Sequence, residues 1–167
     1  FRTHAMTNRV FSTLFLLSAL VSPCIAAQEK HPEHDAVMVV VDRFFEALNT
    51  DNQVLMASIS INGSHNYSIR EKSDSTFELR SRQQYNAELA PNAAEYTERY
   101  WDEIVLVNDL MAVFWAPYDF YIDGVFSHCG VDVFDLVKMD GQWKLANSMY
   151  TVIRTGCPIS PLGEFQR

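Results

Sequence analysis

The sequence predicts an α+β domain in which a curved antiparallel sheet is covered on its concave face by N-terminal helices. Turn-forming pairs at Asn108-Asp109, Asp123-Gly124 and Asp140-Gly141 separate long runs of β-branched and aromatic residues over positions 110–122, 125–139 and 142–153. Asp-Gly between such runs is a strong hairpin signal, because Gly takes positive φ without a Cβ clash. Upstream, Val37, Val40, Val41, Phe44, Phe45 and Leu48 recur at three- and four-residue spacing. That pattern is an amphipathic helix whose apolar stripe needs a sheet to lie on.

The remaining elements follow in order. Asp35 caps the helix over 36–48, and Asn49-Thr50-Asp51 ends it and caps a second, shorter helix over 52–58. Positions 61–71 read as a weaker strand interrupted by Gly63, with Asn-x-Ser sequons at Asn62 and Asn66, and positions 77–79 as a brief one. Ser81 with Gln84 three residues on resembles a capping box and predicts a helix to about Ala90, closed by Pro91 and Asn92. Positions 95–107 then begin the long sheet.

With 167 residues, 48 % hydrophobic and 20 % charged, the chain is long and apolar enough for one core. A formal net charge of -8 without a basic stripe argues against a nucleic-acid partner. From Met6 the pattern is that of a secretory signal: Arg9, an apolar stretch over 10–21, and the small-residue exit Ser22-Pro23-Cys24-Ile25-Ala26-Ala27. The stretch is too short to span a bilayer, and Pro23 disfavours a lipoprotein anchored at Cys24. The expected organisation is upstream residues and signal peptide over 1–27, a flexible leader over 28–34, a single domain over 35–157 and a C-terminal tail over 158–167. The expected location is periplasmic or secreted, with no membrane partner after signal cleavage. His31 and His34 have metal-like spacing, but Pro32 and an end position point to an exposed tail.

Loss of the signal leaves Cys129 and Cys157, an even count in an oxidising compartment. Hairpin register sets Cys129 opposite Val152, so a bridge requires the chain after Arg154 to fold back, as Gly156 and Pro158 permit. The residues alone leave that bridge open.

Two-residue turns at the three signals pair Leu106 with Met111, Asp102 with Trp115, Tyr100 with Pro117, Trp115 with Asp132, Asp119 with His128, and Tyr121 with Phe126. In the last hairpin they pair Phe134 with Asn147, Asp132 with Met149 and Leu136 with Leu145. Side chains alternate with period two, so these residues share a face that is apolar at one end and polar-aromatic at the other. The opposite face carries Ala112, Phe114, Ala116, Tyr118, Phe120, Cys129, Val131, Val133, Ala146, Ser148 and Tyr150. The mixed face is expected to take the helices and a pocket, the other a second subunit in a homodimer. One bulge would swap the faces beyond it.

An apolar cone ending in carboxylates, an imidazole and aromatic hydroxyls suits a small-molecule site. Its candidate catalytic residues are Asp132, His128 and Asp119. Asp119 beside His128 would orient the imidazole for proton movement, although such a pair also serves as a structural hydrogen bond. Asp132 among apolar neighbours would have its carboxyl kept neutral by burial, or would bond an indole N–H. Tyr100, Trp115, Tyr121, Asn147 and Met149 are the candidate ligand-binding residues. Neither a metal nor a cofactor is expected, since the carboxylates and histidine lack a compact ligand spacing and no nucleotide-binding or nucleophile motif is present.

Several stretches carry a family likeness: Ala112-Val113-Phe114-Trp115-Ala116-Pro117-Tyr118, Ser127-His128-Cys129-Gly130-Val131-Asp132-Val133-Phe134, Gly141-Gln142-Trp143-Lys144 and the closing Gly156-Cys157. With the order of elements, they resemble the nuclear-transport-factor-2-like (NTF2-like) cone, and within it the SnoaL-like and lumazine-binding-type group of small exported proteins, over roughly positions 36–157. The resemblance implies that Cys129 and Cys157 are kept as a pair. It also places Asp132 where polyketide-cyclase members carry an acid/base carboxylate. The Asp-Thr-Arg run of relatives is replaced here by Tyr150-Thr151-Val152. Because the scaffold hosts isomerases, dehydratases, cyclases, hydrolases and plain binders, three functions are open. The first expectation is an exported homodimer that binds a small, largely apolar molecule. The alternative is an isomerase, cyclase or hydrolase using Asp132 or the Asp119–His128 pair for proton transfer. In the third, the cone is plugged by its own Trp115 and Tyr121.

Overall fold

A computed structural model describes residues 30–72 and 76–166. The expected signal peptide lies outside the described residues. Among those residues, no helix is long and apolar enough to cross a membrane.

Two helices, α1 (His34–Asn49) and α2 (Gln53–Ile59), precede seven strands: β1 (Ser60–Glu71), β2 (Phe77–Gln84), β3 (Tyr96–Tyr100), β4 (Ile104–Asn108), β5 (Met111–Ile122), β6 (Val125–Met139) and β7 (Gln142–Val152). The sheet runs β2-β1-β7-β6-β5-β3, with β4 pairing β5 beyond the break that ends β3. The three long strands are antiparallel as expected, but β1 joins β7 in parallel, so the curved sheet is mixed. The helices cover one face in an α+β cone.

Helix α1 begins at His34, earlier than Asp35 would cap it, because the leader is tethered: Glu33 Oε2 accepts from Trp143 Nε1 (3.0 Å) and pairs with Lys138 Nζ (2.9 Å). Its face buries Val37, Val40, Val41, Phe45 and Ala47. Phe45 stacks on Tyr100 (4.5 Å) and packs against Phe114 and Phe134. Each such aliphatic or aromatic burial stabilises by about 1.5–3 kcal/mol. Asn52 caps α2 as expected, its Oδ1 accepting from Leu55 N (2.9 Å).

The predicted helix after Ser81 is not formed. That stretch is the rest of β2, paired with β1 from Ser64↔Gln84 to Glu71↔Phe77, and only Asn86–Glu88 makes a 3-10 turn. An available strand partner outweighs a local capping pattern. The expected strand over 95–107 is broken at Asp102, whose φ of 48° is incompatible with a strand.

Register departs from the expectation in three places, and these decide which face is which. At Asp123-Gly124 and Asp140-Gly141 both residues have positive φ, as in type I′ turns. A bulge at Ser127 then sets Phe120 opposite His128 and Asp119 opposite Cys129. A second bulge at Ala146 sets Phe134 opposite Ser148 and Asp132 opposite Tyr150. The first turn is Asp109-Leu110, not Asn108-Asp109, so Trp115 meets Ile104. Each extra residue exchanges inward for outward beyond it. The helices therefore cover Ala112, Phe114, Ala116, Phe134, Leu136 and Leu145. The face expected to hold the pocket is split. His128, Asp132 and Phe134 look inward, whereas Trp115, Asp119, Tyr121, Asn147 and Met149 look outward.

Cys129 pairs with Ile153, one residue beyond the expected Val152, and the tail folds back so that Cys129 and Cys157 form a disulfide (Cα–Cα 5.9 Å). The C-terminal tail then lies on the outer face, where Phe165 packs on Tyr121 (4.5 Å) and Arg99 Nη2 donates to the Gly163 carbonyl (3.1 Å).

Candidate functional site

A cavity of about 340 Å³ opens between α1 and the concave face of the sheet, lined in part by Phe44, Leu48, Glu98, Tyr118, His128 and Asp132. A second hollow, of about 370 Å³, shares Phe44, Leu48, Asn66, Tyr96 and Ser148 with it and continues toward Gln53, His65 and Arg82.

The floor is a pair of carboxyls. β3 carries Tyr96, Glu98 and Tyr100 at alternate positions, which aims Glu98 inward between two aromatic neighbours. Asp132 projects from β6 toward it; the two side chains are 8 % and 3 % exposed. Asp132 Oδ2 is buried and meets no hydrogen-bond donor among the described residues. Asn49, the last residue of α1, fixes the backbone of Glu98 from both sides: its Oδ1 accepts from Glu98 N (2.8 Å) and its Nδ2 donates to Glu98 O (3.0 Å).

Two carboxyls so close in a dry setting cannot both ionise. Burial, and then the charge of Asp132, hold the Glu98 carboxyl well above the usual carboxylate range. Burial also raises the Asp132 carboxyl, to about 7, and its contact with Glu98 only tempers that rise. The contact between them raises Glu98 and tempers the rise of Asp132, which assigns the shared proton to Glu98. The pair titrates as a unit.

Tyr118 forms a wall. Its ring crosses Gly130 on β6, and its hydroxyl donates to the Thr151 carbonyl on β7 (2.6 Å). This crossing requires glycine, since a Cβ at position 130 would overlap the Thr151 carbonyl oxygen and lie 2.8 Å from the Tyr118 ring. Burial keeps the Tyr118 phenol protonated, its pKa raised far above the ordinary tyrosine value.

His128 stacks on Phe120 (4.7 Å), and its Nδ1 lies 3.0 Å from Ser127 Oγ. Burial, helped by the charges of Arg154 and Arg70, pushes its pKa down to about 4, so the imidazole is neutral near pH 7.

Of the candidate catalytic residues, Asp132 and His128 line the cavity and Asp119 does not. The bulge at Ser127 turns Asp119 outward, where its side chain, 5 % exposed, pairs with Arg99 (Nε–Oδ1 2.9 Å). The Asp119–His128 pair is therefore absent. Tyr100 faces α1, donating to Asp42 Oδ1 (2.8 Å). Trp115 (38 % exposed) and Met149 (42 % exposed) lie on the outer face, so Trp115 cannot plug the cone. Asn147 donates to Asp135 there (3.4 Å), and Tyr121 accepts from Arg99 (3.1 Å). Glu98, Tyr118, Tyr150, Arg70 and Arg154 join the site without having been singled out from the sequence. The legible signal for Glu98 was a carboxylate at an inward strand position flanked by tyrosines.

No protein-family model matches the sequence, and no curated protein matches it. Solved structures do match in shape. An NTF2-like superfamily protein from Salmonella enterica serovar Typhimurium aligns at a TM-score of 0.56 and 10 % identity, over 74 % of this chain and 92 % of that one. A proposed dehydratase of the NTF2-like family from Streptomyces avermitilis aligns at 0.55 and 14 %, over 74 % and 99 %. A proposed ketosteroid isomerase from Shewanella frigidimarina aligns at 0.51 and 17 %, over 69 % and 94 %. With helices α1 and α2 laid on a curved seven-stranded sheet, and these neighbours in shape, the chain has the NTF2-like fold.

Proposed function

We propose that this protein binds a small, largely apolar molecule in its cone and moves a proton on it with the Glu98–Asp132 pair. The observation that carries this reading is the lone Asp132 Oδ2, buried at the floor of the cavity beside Glu98, whose carboxyl burial holds well above the usual carboxylate range. With its carboxyl raised to about 7, Asp132 is a base suited to neutral pH whose Oδ2 meets no donor among the described residues, and its neighbour is an acid. On a ligand with an acidic C–H beside a carbonyl, Asp132 accepts the carbon-bound proton. The electron pair moves onto the carbonyl oxygen, and Glu98 supplies the hydrogen bond that stabilises the resulting enolate. Return of the proton to the same or another carbon gives exchange or isomerisation. His128, kept neutral, and the Tyr150 hydroxyl add polar contacts at the wall.

The test is hydrogen exchange. A panel of apolar cyclic ketones and enones, incubated with the purified protein in D₂O, is followed by proton NMR for loss of the α-proton signal. Exchange that the protein accelerates and Asp132→Asn abolishes, with binding retained, supports the reading. Ligands that bind and do not exchange leave a plain binding protein and overturn the chemistry.

The Cys129–Cys157 bridge supports export to an oxidising compartment. The outer sheet face, with Ile104, Leu106, Met111, Trp115 and Met149 exposed, supports a homodimer through that face. Trp115→Lys is then expected to shift the particle to a monomer by light scattering; an unchanged mass removes Trp115 from any interface.

A further inference from the structure

The same cavity has a second chemical end. Arg70 at the end of β1 and Arg154 just past β7 both line it, on the side of His128 and Tyr150. Arg70 is held in place, with Nε donating to Ser68 Oγ (3.0 Å), Nη2 3.4 Å from the Tyr150 hydroxyl and the guanidinium 6.0 Å over the Tyr150 ring. Neither arginine makes an ion pair among the described residues. The nearby carboxylates are occupied elsewhere. Glu78, opposite Arg70 across β1–β2, takes a two-pronged bond from Arg80 (2.9 and 3.1 Å). Glu71 accepts from the Arg154 backbone N (3.2 Å) and from the Thr155 hydroxyl. In a chain of formal net charge -8, two guanidiniums with no counter-ion among the described residues form a local positive end at the mouth of a cavity.

We propose that Arg70 and Arg154 form an anion-binding subsite and that the cavity takes an amphipathic monoacid. The anionic group sits against the two guanidiniums, the apolar body runs along Leu48, Phe120, Ile122 and Phe134, and the far end reaches Glu98–Asp132. Guanidinium donors suit a carboxylate because their planar N–H pairs match its two oxygens. The assignment deepens the proposed function and rests on the same cavity being the ligand site, while standing or falling separately from the proton transfer.

The experiment compares decanoate with decanol by titration calorimetry at low salt. Wild type is expected to bind decanoate at least about tenfold more tightly than decanol, a difference of about 1.4 kcal/mol. The preference should shrink with added salt and disappear in Arg70→Met/Arg154→Met, with decanol binding unchanged. Salt dependence on the wild-type protein needs no variant to fold. Equal affinities for the two probes, a preference that survives the double substitution, or no binding of either overturns the subsite. Asp132→Asn should leave the preference for the acid intact. A retained preference without any α-proton exchange would refute the chemistry alone, and exchange without a preference would refute the subsite alone.

Discussion

Glu98→Gln isolates the shared proton. In the native protein the Glu98–Asp132 pair keeps a proton at pH values where the same carboxyls in the unfolded chain, near pKa 4, have lost it. Across that window the native state binds more protons than the unfolded state, so stability falls as pH rises. One excess proton corresponds to about 1.4 kcal/mol per pH unit, hence about 3 kcal/mol between about pH 5 and pH 7. Glutamine keeps the shape and the donor of protonated Glu98 but has no proton to lose, so the part of the penalty that Glu98 carries disappears while burial still raises Asp132. His128 acts with the opposite sign. Its folded pKa, lowered to about 4, makes the unfolded state the better proton binder below about pH 6.5, so its contribution rises with pH. Because His128 is common to both proteins, it cancels in their difference. Urea unfolding at pH 5, 6, 7 and 8 should therefore show the variant gaining on wild type by about 1.4 kcal/mol per unit from pH 5 to 7, with unchanged m-values. A difference independent of pH would refute the shared proton.

Asn49→Ala removes both bonds that fix the Glu98 backbone and is expected to cost about 2 kcal/mol, read in the same urea series. It should also flatten the pH dependence as the pair loosens; a lower stability with the pH dependence unchanged would make Asn49 merely structural. Gly130→Ala places a methyl into the Tyr118–Thr151 crossing and is expected to cost about 3 kcal/mol, seen as a lower Tm; a neutral effect would mean the strands part there without strain. Reducing the Cys129–Cys157 bridge, or replacing both cysteines by serine, should cost about 3–4 kcal/mol by the loop-entropy account. An unchanged urea midpoint under reductant would show that the bridge does not constrain the unfolded chain.

Periodicity carried most of the fold. The stripe of Val37, Val41 and Phe45 and the Asp-Gly turns at 123 and 140 are local signals of strong preference, and the elements they predict are present. The parallel partnership of β1 with β7 was not legible, since Asn62-Gly63-Ser64 alternates too weakly to name a neighbour, and β2 was hidden by a capping pattern at Ser81. The site failed at two residues. Ser127 and Ala146 look like ordinary strand positions, and nothing local marks them as bulges. They nevertheless moved Asp119 away from His128 and put Trp115 and Met149 on the outside. Asp132 stayed inside because the expected face for β6 was right while that for β5 was inverted. Glu98 has the strand parity of Tyr100, so its inward aim was legible; its partnership with Asp132 was not, because β5 lies between β3 and β6 in the sheet.

The measurement that bears most directly on the account is the pH titration of the Glu98 and Asp132 carboxyl carbons by ¹³C NMR. Coupled titration is expected, with Glu98 keeping its proton well above the ordinary carboxylate range, and with the curve of the remaining carboxyl shifting in Glu98→Gln and in Asp132→Asn. Two independent titrations near pH 4, each indifferent to loss of the other residue, would contradict it.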